Sequence, residues 1–311
     1  MNEVKSDFYI TENIKMHYYE IKNDLQPLIL IHAQGVDGLS YEDTFKELSK
    51  KYHVFSIDCY GHGNSLHEAD KYNIKDIAEA IIEFIEQIVK DYVYILGHSS
   101  GGLIAAYIVA ETDWCKHLIL EDPPFFSCQG ERRFKTYNYI DLSTVCHNFI
   151  NQNEETDFVL YYFINQYAWN LFPEKSREKI RKKLIKLAEN ARKKHPDRNL
   201  KVLFWPKSAL SGFKGMNNYD PMFGEAFYDD SFHANISHEE LLIKITCKTT
   251  FLKAATNMDK EGILMAALSE DDLEHVCELI KTCEVLRFEC GHGIHVEKQK
   301  EFIETLINLG S

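Results

Sequence analysis

No run of about 18 consecutive apolar residues interrupts this 311-residue sequence, so no transmembrane helix is expected. Positive charge is scarce. The 35 lysines and arginines face 48 acidic residues, for a formal net charge of −13. That balance argues against nucleic acid, whose phosphates need a basic face. The opening residues, Met1-Asn2-Glu3-Val4-Lys5-Ser6-Asp7, lack the apolar segment of a secretory signal. Eight cysteines (Cys59, Cys115, Cys128, Cys146, Cys247, Cys277, Cys283 and Cys290) make no CxxC and no framework spacing. They read most simply as reduced thiols of a cytoplasmic protein. Internal repeats and low-complexity tracts are missing too. The 45% of hydrophobic residues is enough for a substantial core, in one large α/β domain or two ordinary ones.

Short apolar runs alternate with helix-period segments through residue 124. Phe8–Thr11 and Lys15–Ile21 suggest an antiparallel opening pair. Leu28–Ile31 and Val54–Ile57 are apolar enough for parallel strands buried on both faces. Ile74, Ile77, Ala78, Ile81, Ile82 and Ile85 recur at helical spacing. Leu118-Ile119-Leu120 is a further strand, stopped at Glu121-Asp122-Pro123-Pro124 because proline cannot continue a ladder. From 125 to 240 the alternation disappears and aromatics concentrate, 21 of the chain's 39. Strand–helix order resumes at Thr249–Leu252, followed by a helix over 271–280, a strand over Val285–Phe288 and a terminal helix. The expected organisation is a core of 1–124 and 241–311 with a helical cap or lid, 125–240, inserted between two strands.

Gly97-His98-Ser99-Ser100-Gly101-Gly102 follows the apolar run Tyr92–Leu96 and precedes the helical Leu103–Val109. A buried strand that ends in G-x-S-x-G and turns directly into a helix is a nucleophile elbow. The turn is too tight for side chains two positions either side, and its strain lifts one hydroxyl clear of the sheet. Ser99 is therefore the candidate nucleophile. A serine hydroxyl needs an imidazole to take its proton and a carboxylate to orient that imidazole. His292, in Cys290-Gly291-His292-Gly293-Ile294-His295, is the candidate base, and His295 reads as a packing residue of the last helix. Cys290, His292 and His295 together lack the fourth ligand or paired spacing that a zinc site needs. Asp259, the first acid after the Thr249–Lys253 run, is the candidate orienting carboxylate, and Asp122 is the alternative. The N–H groups of Gln34 and Ser100 are the candidate oxyanion donors. His62 and His98 read as residues that shape hydrogen bonds around these loops.

Four segments resemble the α/β-hydrolase superfamily: His32-Ala33-Gln34-Gly35, Asp58-Cys59-Tyr60-Gly61-His62-Gly63-Asn64-Ser65, Gly97–Gly102, and Gly291-His292 with Glu297–Phe302. The resemblance covers nearly everything outside 125–240. It implies an eight-stranded, mostly parallel sheet with a helical cap between strands six and seven. The chain departs from the family at Ala33, where glycine is usual, and at Gln299, where proline is usual. In Ala254–Asp259 the family's G-x-x-D is missing, and a simple alignment puts Asn257 at the acid position.

A serine at the elbow points to acyl transfer to water, with a small carboxylic ester as the default substrate. The alternatives are a peptidase-like or carbon–carbon hydrolase, or a ligand receptor that retains the triad. This chemistry requires no metal or organic cofactor. The expected partner is a small-molecule substrate, with neither nucleic acid nor membrane. Phe125, Phe126, Tyr161, Tyr162, Phe163, Tyr167 and Trp169 either line an acyl pocket or form the core of the cap. Residues 174–195 form a basic amphipathic helix with Ile180, Leu184, Leu187 and Ala191 on one face, read as a solvated outer face with a buried stripe.

Overall fold

A computed structural model describes residues 3–201 and 212–309. Its eight strands form one sheet: β1 (Lys5–Ile10), β2 (Lys15–Ile21), β3 (Gln26–Ile31), β4 (Tyr52–Ile57), β5 (Val93–His98), β6 (Cys115–Glu121), β7 (Lys248–Lys253) and β8 (Cys283–Arg287). Their order across the sheet is β1-β2-β4-β3-β5-β6-β7-β8. β1 and β2 pair antiparallel, as do β2 and β4, and every other pairing is parallel.

The continuous apolar runs of β3 and β5 follow from this placement, because a central parallel strand is covered on both faces. Alternate side chains serve two separate cores. Ile29, Ile31, Ile95 and Leu118 face α2 (Ile74–Phe84) and α3 (Ser100–Glu111). Leu28, Leu30, Leu96 and Ile119 face α1 (Glu42–Leu48) and the C-terminal helix that carries Phe302 and Leu306. α3 is buried from Ser100 through Val109, so it is apolar all round rather than along one stripe. β5 lies between β3 and β6, so its C-terminal end opens at the middle of the sheet edge.

Between β6 and β7 the described residues form five further α-helices: α4 (Thr144–Ile150), α5 (Phe158–Asn165), α6 (Glu174–Lys194), α7 (Pro221–Tyr228) and α8 (His238–Ile243). Residues 202–211 of the expected insertion lie outside the described residues. Phe163, Phe223 and Phe232 are fully buried among these helices. The stripe of α6 is rotated from the expected one. Leu184 and Ala188 are buried, whereas Leu187 stands 43% exposed. Arg192 on the buried side forks onto Asp157 at 2.6 and 3.0 Å, and that contact fixes the rotation. The core then closes with α9 (Glu270–Leu279), the short α10 (Ile294–Glu297) and α11 (Gln299–Asn308). Among the described residues, no helix is long and apolar enough to cross a membrane.

Candidate functional site

The elbow forms where β5 meets α3. Ser99 has φ 54° and ψ −120°, a conformation that costs a non-glycine residue about 1–3 kcal/mol. Its N–H donates to Glu121 O at 3.0 Å, so the turn is stitched to the end of β6. The flanking glycines are required by contact. A Cβ on Gly97 would sit 2.2 Å from Gly101 O, and one on Gly101 would sit 2.4 Å from Ile31 O. Both neighbours are backbone atoms that cannot swing aside. Gly101→Ala should therefore destabilise the fold by about 3 kcal/mol or more, read by thermal or urea unfolding.

Ser99 is half-buried and lines a cavity of about 1160 Å³ together with His98, Gln34, Ser100 and His292. His292 Nδ1 lies 2.8 Å from Asp122 Oδ2. Because a carboxylate oxygen only accepts, the proton of that bond sits on Nδ1, which leaves Nε2 as the lone-pair nitrogen. The Asp122 side chain is fully buried, and that of His292 is 40% exposed in the cavity. Asp122 has φ 47°, and its N–H donates to Leu252 O at 2.9 Å, one step beyond the end of β6.

The expected partnership of His292 with Asp259 is therefore replaced by one with Asp122. Asp259 Oδ2 accepts the Tyr167 hydroxyl at 2.7 Å, and its Oδ1 accepts the N–H groups of Glu261 and Ile263, both at 2.9 Å. These three donors hold its carboxyl below the usual aspartate range, with the Tyr167 bond contributing most. Asp259 closes a surface turn. Asp122 reaches the imidazole because the loop after β6 leaves the sheet beside the loop after β8, with only β7 between them.

A second carboxylate–imidazole pair stands beside the first. Glu121 Oε1 accepts both the His295 backbone N–H at 2.9 Å and His295 Nδ1–H at 2.7 Å. Burial alone would raise Glu121, but the facing His295 ring and these two donors outweigh it and hold it at about 2. His295, expected only to pack, instead ties α10 to β6. Sequence reasoning missed Glu121, although two consecutive acids before two prolines, and two histidines three apart, carried the signal.

His98 Nε2–H donates to the His292 carbonyl at 3.0 Å. Burial pushes this ring down to about 3, so it is neutral. His62 shapes the opposite loop. Its Nδ1–H donates to Tyr60 O at 3.0 Å, and its Nε2 accepts the Gly35 N–H at 3.1 Å. Burial keeps His62 well below the ordinary histidine range, which preserves that acceptor. Among the described residues, the N–H groups of Gln34 and Ser100 have no protein acceptor. The Gln34 side chain reaches instead to the Tyr219 hydroxyl at 2.8 Å.

Among the described residues, the ligand atoms of Cys290, His292 and His295 do not gather within 4.8 Å of one another, and each imidazole is bonded to a carboxylate of its own. Of the aromatics considered for an acyl pocket, only Tyr162 lines the cavity. Phe125, Phe163 and Trp169 are buried in packing. The apolar wall comes from Val36, Leu142, Phe213, Met216, Phe227 and Met265. Asp141, also at the wall and fully buried, accepts the Tyr162 hydroxyl at 2.5 Å and the Tyr167 N–H. Burial raises it to about 6 even so.

The described fold overlays on solved structures across almost its whole length. An N-formylmaleamic acid deformylase from Pseudomonas putida matches with a TM-score of 0.65 and 18% identity, over 98% of this chain and 100% of that one. An esterase from Exiguobacterium antarcticum matches with a TM-score of 0.62 and 18% identity, over 94% of each. Among curated sequences, an (E)-2-((N-methylformamido)methylene)succinate hydrolase of Acinetobacter baylyi is 31% identical over 116 residues. A pimeloyl-[acyl-carrier protein] methyl ester esterase of Vibrio cholerae is 28% identical over 118. Each of these two matches spans 37% of this chain and 44% of the relative, less than half of its length. The family model for the alpha/beta hydrolase fold matches residues 26–198, more than half of the chain, and this protein belongs to the α/β-hydrolase family.

Proposed function

We propose that the protein is a serine hydrolase that cleaves a small carboxylic ester, or a related acyl compound, through an acyl-enzyme. One observation carries the reading: a buried carboxylate, Asp122, fixes the Nδ1–H tautomer of His292, whose other face opens into the cavity that Ser99 lines. His292 Nε2 takes the Ser99 proton as Oγ attacks the substrate carbonyl. The developing oxyanion takes the Gln34 and Ser100 N–H groups, which have no competing acceptor among the described residues. His292 then returns the proton to the leaving alcohol, and water, deprotonated by the same nitrogen, releases the acid.

The acyl group belongs against the apolar wall, where Leu142, Phe213 and Met216 offer no charge to a polar chain. The names borne by the relatives, which include esterases and hydrolases, support the same class. The direct test is labelling with a fluorophosphonate, followed by mass-spectrometric location of the adduct. The expected result is one adduct, on Ser99. An unlabelled protein, or an adduct elsewhere, would overturn the proposal.

A further inference from the structure

We infer that Lys253 is a positioning residue for this reaction: its ammonium, delivered from the end of β7, balances the buried Asp122 carboxylate and so sets the charge that His292 feels. The inference rests on the proposed role of Asp122 as the orienting acid.

Lysine is almost never fully buried without a partner. Lys253 is 1% exposed, at the last position of β7. Its Nζ donates to Ala254 O at 2.5 Å and to Thr256 Oγ1 at 2.8 Å, which are neutral acceptors. Two carboxylates lie slightly further out, Asp122 Oδ1 at 3.7 Å and Glu270 Oε1 at 3.9 Å. Glu270 already has a cation of its own, since Arg287 reaches its Oε2 at 2.7 Å, and it stands 44% exposed. Asp122 has no cation other than Lys253 among the described residues.

The two oxygens of Asp122 are thus divided. Oδ2 takes His292 Nδ1–H, and Oδ1 takes Ala254 N–H at 3.3 Å and faces Lys253. The other titratable neighbours are the neutral His98 ring, 4.6 Å from that of His292, Cys290, whose thiol burial pushes up to about 11, and the Glu121–His295 pair, in which the carboxylate is bonded to its own ring at 2.7 Å. Among the described residues, none of these forms an ion pair with Asp122.

The placement also accounts for a departure in the sequence. The family resemblance led to a carboxylate after β7. In this chain β7 ends in a lysine instead, and the acid comes from the end of β6.

Removing the ammonium leaves a buried negative charge whose one charge-bearing partner is the imidazole. The protonated ring is then favoured, and a protonated ring cannot act as the base. The imidazole lies beyond Asp122 from the ammonium, and at an effective dielectric near 20 a unit charge roughly 10 Å away is worth about one pH unit.

The test is the pH dependence of the rate of fluorophosphonate labelling at Ser99, measured on the full chain and its Lys253→Gln, Lys253→Met and Lys253→Arg variants. Gln keeps a donor for Ala254 O and Thr256 without the charge, and Met keeps the stem, so the test survives if one of the two does not accumulate. For both, the acid limb should move up by about one pH unit, with the high-pH plateau retained and labelling near the limb slowed about tenfold. Arg should restore the wild-type limb. A merely structural lysine would lower the labelled fraction equally at all pH and leave the limb in place, and that result overturns the inference. Failure of the parent reading looks different: the wild type is then not labelled at Ser99, or Asp122→Asn labels like the wild type at every pH.

Discussion

Ser99→Ala should lower kcat toward the best ester substrate by roughly 10⁴-fold or more while unfolding remains close to wild type. The rate falls because alanine removes the proposed nucleophile from the cavity that Gln34, Ser100 and His292 also line. The fold is spared because alanine pays the same penalty as serine at φ 54°, and the hydrogen bond that holds the turn uses the backbone N–H. Residual turnover would come from the oxyanion donors and binding alone. Steady-state kinetics beside a thermal melt decides the matter, and near-normal activity in a folded variant would end the acyl-enzyme account.

The second large effect separates two aspartates. Asp122→Asn should cost on the order of 10⁴-fold in kcat, because an amide in place of the carboxylate no longer selects the Nδ1–H tautomer of His292 or stabilises the imidazolium. Asp259→Asn should stay within about twofold, since that residue closes a surface turn with Tyr167, Glu261 and Ile263. The pair is measured under one assay with unfolding curves. A large kinetic loss in the Asp259 variant, with Asp122→Asn near normal, would return the orienting role to the loop after β7.

Much of the sheet was legible because its residues obey one local rule each. Leu28–Ile31 is apolar at every position and Val54–Ile57 at all but Ser56, as suits strands covered on both faces, and they lie in β3 and β4. The elbow was legible because only glycine fits at 97 and 101, and the structure puts a backbone oxygen where each missing Cβ would go. The acid was harder to read. Its identity depends on which strand-end loop turns a carboxylate toward the loop after β8, and that is a property of the folded sheet edge, not of spacing along the chain. Asp259 and Asp122 each sit just past a strand, so no local pattern separates them.

The aromatic insertion was opaque for a related reason. Phe163 and Phe213 are equally apolar, yet the first packs inside the helices and the second faces the cavity. Which side an aromatic takes is decided by how short helices stack, and composition says nothing of that. Glu121 and Lys253 escaped attention because each looks like an ordinary strand-end charge until its partner is brought in from another part of the chain.

Glu121 and Asp122 are consecutive, and each grips one of two rings three residues apart. A loop pinned at one point can still swivel about it, but one pinned at two adjacent points has its direction fixed as well as its place. The His292 ring is thereby oriented from the end of β6. The helices between β6 and β7 could be rebuilt around a different ligand while that ring keeps its aim.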